Sequence, residues 1–146
     1  MRRPDLVRAA VLADPPLHAF VPAATAALAD ERTLLERGLR DGGPAVAVRS
    51  WLAAAGLAAD DARAERAVAA TPGFFADYAG QSSWSPSRGE LRAIGVPVAV
   101  VTGPATAAHI VAAADAIARL VSEASRAGDG DIVAAVLALA EGEIGA

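Results

Sequence analysis

The chain has 146 residues and a net charge of −4, a length that suits one ordinary domain and leaves too little for two comfortable ones. All 13 basic residues are arginine and they are scattered, which excludes a continuous basic face for nucleic acid. The absence of cysteine excludes disulfides, thiolate metal sites and a cysteine nucleophile.

Apolar residues make up 54% of the chain, but alanine supplies much of this, so the expected core is rich in small side chains and poor in large anchors. There is no apolar run of about 18 residues. No signal-peptide pattern follows Met1, so a soluble cytoplasmic protein is expected.

In chain order, Leu6 to Ala13 (LVRAAVLA) reads as a buried strand stopped by Pro15 and Pro16, with Asp14 at its carboxyl end. From His18 to about Gly89 helical patterns replace strands. Thr25 to Leu39 repeats apolar residues at Leu28, Leu35 and Leu39 and sets Arg32, Glu36 and Arg40 at i,i+4 on the opposite face. Gly42 and Gly43 end it. Pro44 suits the first turn of a second helix carrying Val48, Trp51, Leu52 and Ala55. Asp60 and Asp61 cap a third over Ala62 to Ala70. Gly73 to Arg88 reads as loop-rich, with Phe74, Phe75, Tyr78 and Trp84 among Ser, Gly and Pro.

A second strand is expected over Val96 to Thr102, where β-branched residues lie between Gly95 and the Gly103-Pro104 turn. Ala107 to Ala124 reads as the strongest helix, with Ile110, Ala113, Ala114, Ile117, Leu120 and Val121 on one side. Ala127 to Asp131 is a loop, and Ile132 to Ala140 a last helix. Strand, sharp turn and helix in that order is half of a βαβ unit, and in open parallel sheets ligands bind at such carboxyl ends. Thr102 to Thr106 is therefore the first place to look for chemistry.

Ordered this way, the phrases PDLVRAAVLADPPL (Pro4 to Leu17) and LRAIGVPVAVVTGPAT (Leu91 to Thr106), set around a helical insert, resemble the second half of an α/β-hydrolase. The resemblance implies a mostly helical α/β fold with two parallel core strands. Its parts would be a first sheet strand in residues 1–17, a cap-like segment in 18–89, and a strand-helix-loop-helix in 90–146, within a single domain. It implies family acid positions at Asp14 or Thr106, and the family histidine in the Ala127 to Asp131 loop, where Asp129 stands instead. The earlier half, with its G-x-S-x-G elbow, is missing, and Gly80-Gln81-Ser82-Ser83-Trp84 lacks both the second glycine and a preceding strand.

Read as residues alone, Thr106 is a helix N-cap, Asp14 a turn former bonded to local backbone, and Asp129 and Asp131 caps of the last helix. Trp51, Phe74, Phe75, Tyr78 and Trp84, with His109 as a further candidate, either line a substrate pocket of the cap or form its own small core. Neither His18 nor His109 has metal-ligand spacing around it, and no cofactor is expected.

The expectation is a hydrolase-like half without an intact Ser-His-acid set. It would be inactive alone, a pseudoenzyme, and completed by self-association or by a partner chain covering the open sheet edge. No nucleic acid or membrane partner is expected, and an apolar small ligand is compatible with the cap. The rival is a shortened hydrolase or lyase using His109 or His18 with Asp14 or Asp129. A truncated gene product without selected activity is the third reading.

Overall fold

A computed structural model describes residues 6–58, 60–127 and 131–142. In chain order the elements are β1 (Ala10–Ala13), α1 (Pro22–Gly42), α2 (Pro44–Ala54), α3 (Ala62–Ala69) and α4 (Thr71–Ser83). They continue with α5 (Arg88–Arg92), β2 (Val98–Val101), α6 (Ala108–Leu120), β3 (Ala124–Ala127) and α7 (Ile132–Ala140). The fold is α/β and mostly helical, with one small parallel sheet. Two compact units emerge, one made of residues up to Ala24 together with those from Ser85 onward, the other of Thr25 to Trp84.

In the first unit the sheet order is β1-β2-β3, all parallel. Ala10 pairs with Val98 and Val98 in turn with Ala124, so β2 is central. Its four residues Val98, Ala99, Val100 and Val101 are all buried, as a strand covered on both faces requires. Alternation sends Val98 and Val100 to one face, where they meet Leu17, Leu91, Ala113, Ala114 and Ile117; Ala99 and Val101 go to the other, against Ala135 of α7. Each fully buried Val, Leu or Ile of this core is worth about 1.5–3 kcal/mol.

The sheet has three strands where the sequence reading has two. Ala124-Ser125-Arg126-Ala127 carries no β-branched residue, so nothing local marks it as a strand; what makes it one is pairing with β2. The helix expected to reach Ala124 accordingly stops at Leu120. The flanking strands are also shorter than expected, Ala10–Ala13 instead of Leu6 to Ala13 and Val98–Val101 instead of Val96 to Thr102.

In the second unit, Gly43 takes φ 81°, a left-handed conformation open to glycine, and turns the chain from α1 into α2 with Pro44 in the first turn. Gly38 lets the two helices approach: a Cβ there would lie 2.5 Å from the Ala47 Cα. Asp61 caps α3 by accepting the Arg63 amide at 2.7 Å. Gly73 to Arg88, expected to be loop-rich, instead belongs largely to α4 and the start of α5. Pro72 sits in the first turn of α4, where its missing N–H costs nothing, and Phe74, Phe75 and Tyr78 share one side of the helix at i, i+1 and i+4. Ser87 and Glu90 form a capping box on α5 in the first unit.

Candidate active site at the carboxyl ends of the strands

The chemistry-bearing side chains of the first unit collect where β1 and β2 end. Asp14 follows β1 directly. Its amide still donates to Val101 O at 3.0 Å, extending the ladder by one rung, while φ of 44° swings the chain off the sheet toward Pro15. Aspartate tolerates that left-handed backbone better than most residues. After β2, the turn Thr102 to Thr106 closes on itself: the Thr106 amide donates to Gly103 O at 3.1 Å and the Gly103 amide donates to Thr106 Oγ1 at 2.8 Å.

The Thr106 hydroxyl then donates to Asp14 Oδ1 at 2.8 Å, between residues 92 apart in sequence. Both residues depart from their expected local roles. Thr106 does not cap α6; the N-cap is Ala107, with no side-chain hydrogen bond, because the threonine oxygen is already committed on both sides. Asp14 bonds a side chain across the sheet end, not its own turn. No signal local to either residue reveals this pairing, since it exists only once β1 and β2 lie side by side.

One strand further along, Arg126 on β3 donates from Nη2 to Thr102 Oγ1 at 2.6 Å and places Nε 3.4 Å from Asp115 Oδ1. The sequence pattern misses this tie because no strand is expected over Ala124 to Ala127. The site thus carries one carboxylate backed by a hydroxyl and one guanidinium held by a carboxylate and a second hydroxyl. Asp14, exposed at the sheet end, can accept a further hydrogen bond or orient a cationic donor.

The histidines have other surroundings. His18 Nδ1 lies 3.2 Å from Ala24 O, so that nitrogen carries a proton and donates to the carbonyl. His109 is half-buried in the first turn of α6. The Asp14 carboxylate is bonded to a hydroxyl, that of Thr106. Asp129 lies outside the described residues; Asp131 caps α7 by accepting the Ala134 amide at 2.9 Å. Among the described residues no group of three or more His, Cys, Asp or Glu is placed to hold a metal ion, and no helix is long and apolar enough to cross a membrane.

In the second unit, Trp51 meets Phe74 edge-on at 5.2 Å between ring centroids, Phe74 meets Phe75 edge-on at 5.5 Å, and Tyr78 stacks on Phe74 at 6.3 Å. Trp51 and both phenylalanines pack on buried Val48, Leu52 and Ala64. Trp84 does not join them and remains 40% exposed. Trp51 Nε1 donates to Glu31 Oε2 at 3.4 Å, whereas the buried Tyr78 hydroxyl has no partner. Loss of hydration, with the Glu31 charge adding to it, pushes the Tyr78 phenol above its usual range.

No protein-family model, curated protein or solved structure matches this chain.

Proposed function

We propose that this chain is an α/β-hydrolase-like half that lacks an intact Ser-His-acid set, does not hydrolyse esters alone, and is completed by a second chain on the open side of β1. The single observation that carries the reading is the Asp14–Thr106 hydrogen bond at the carboxyl ends of two parallel strands whose connection is a helical insert. Those are the two positions at which the resemblance puts the family acid, and they are joined to each other. A carboxylate in that place serves a hydrolase by steadying an imidazolium. Here Thr106 takes its Oδ1, and neither strand-to-helix turn after β1 or β2 carries a serine, which supports a reading without the Ser-His step. The helical unit with its aromatic cluster corresponds in this reading to the cap.

The test is exposure of the purified chain to short-chain p-nitrophenyl esters and to a fluorophosphonate probe. Hydrolysis at the buffer rate and no labelled serine are expected. Saturable turnover that Asp14→Asn or His109→Ala abolishes would overturn the reading and install the rearranged enzyme in its place.

A further inference from the structure

The two edges of the sheet are built differently. β3, Ala-Ser-Arg-Ala, is a protected edge: polar, with Arg126 engaged by Thr102 and Asp115. β1, Ala-Val-Leu-Ala, is apolar on both faces, sending Leu12 into one core and Val11 into the other, as an interior strand does. Yet among the described residues β1 pairs only with β2. Since Ala10 and Asp14 donate toward β2, alternation turns the backbone groups of Val11, Ala13 and Ala9 outward.

Beside this edge lies a second surplus. α7 packs across β1 and β2 through Ala135 and Leu139, and leaves Ile132, Val133, Val136 and Leu137 between 47% and 68% exposed. That is apolar surface on the order of 400 Å², within the range of the largest, often functional, patch on a protein of this kind.

We infer that the occupant is a second copy of this chain, paired antiparallel to β1 across a twofold axis at Val11. The register that uses every outward residue sets Val11 opposite Val11 of the second copy and Ala9 opposite its Ala13. That same register brings Arg8 of each copy to the end of the other's β1, where Asp14 leaves the sheet, so opposite charges meet at both ends. With strands about 4.8 Å apart and α7 seated over the β1–β2 pair, the two copies of α7 stand roughly 10 Å apart on the same face of the joined sheet, close to helix-packing distance. The α7 patch supplies about half of the roughly 800 Å² per partner that a standard interface buries, leaving the strand edge and its flanks to supply the remainder. This names the occupant of the edge in the reading above, and depends on that reading only for the need of a cover.

Sedimentation equilibrium of the full chain tests it. The expected species is a dimer of about 29 kDa, twice the 14.6 kDa of the chain. Val11→Pro removes an outward amide without touching the bonds to β2, and is expected to yield monomer with the far-ultraviolet circular dichroism and cooperative urea unfolding retained. Arg8→Asp and Asp14→Arg each weaken association about tenfold, and mixing the two variants restores it, because the heterodimer regains a charge pair at each end. If Val11→Pro loses cooperative unfolding, the mixing experiment decides. A folded monomer of the parent chain, a dimer that Val11→Pro leaves intact, or no recovery on mixing overturns the pairing. The ester assays test the hydrolase-like reading separately, since a dimer without turnover and a monomer without turnover are both compatible with it.

Discussion

The Thr106 hydroxyl bridges two loops, accepting the Gly103 amide at 2.8 Å and donating to Asp14 Oδ1 at 2.8 Å. Thr106→Val keeps the shape and removes both bonds, leaving the amide of a half-buried turn unpaired. A loss of about 1–2 kcal/mol in urea unfolding is expected, with Thr106→Ser within about 0.5 kcal/mol of the parent. Equal losses for the two variants would mean that the methyl group, not the hydroxyl, holds the loops.

Asp14 and Thr106 should also be energetically coupled. In a double-mutant cycle with Asp14→Ala and Thr106→Val, the two losses are expected to fall short of additivity by about 1 kcal/mol, as residues sharing one bond do. Strict additivity would count against the bond.

How far these features are legible in the sequence follows from their range. Helices with a local signature are readable: Asp61 before Ala62, Pro44 after Gly43, and the stretch Ile132 to Ala140. β2 is readable because four buried residues in a row bias toward strand by composition. β3 is not, because Ser125 and Arg126 acquire strand geometry from their neighbour. α4 is obscured by Gly73 and Gly80, which lower helix propensity but stand where nothing crowds them, so tertiary contacts of Phe74 decide the outcome. The turn Thr102 to Thr106 is readable from the strand-turn-helix order, and Asp14 and Thr106 as acid positions come from the resemblance; their bond to each other comes from nothing local.

Leu17 has no exposed surface and lies in the core with Val21, Ala24, Leu91 and Ile117. Leu17→Ala is expected to cost about 2–5 kcal/mol. In a core this dependent on alanine there are few large side chains to collapse into the void, so the upper half of that range is expected in urea titrations followed by far-ultraviolet circular dichroism.

Tyr78 buries a hydroxyl without a partner. Tyr78→Phe is expected to stabilise the chain by about 1 kcal/mol by deleting a desolvated group. The raised pKa gives a second check. Because the folded form ionises later than the unfolded, this group leaves stability unchanged with pH below the ordinary value of 10.0 and lowers it as pH climbs from there through the raised value. Phenolate absorbance should therefore appear at higher pH in folded than in urea-unfolded protein.

Asp61 shifts the other way. The Arg63 side-chain hydrogen bonds, followed by the Arg63 amide, lower its pKa from 3.8 to about 2. Its contribution to folding is present above 3.8 and lost as pH falls toward 2. A carboxyl-carbon NMR titration should place its midpoint well below 3.8, and Arg63→Ala should bring it most of the way back.

The 84 residues that separate Ala13 from Val98 have a temporal cost. During synthesis at about 5–20 residues per second, β1 leaves the ribosome roughly 4–17 s before the strand it pairs with exists. β2, α6 and β3 follow one another closely and can assemble as soon as they emerge, whereas β1 must wait as an unpaired apolar segment and then close the longest loop in the fold. Slowing translation downstream of Ala13 should therefore lower soluble yield, while slowing it after Ala127 should not.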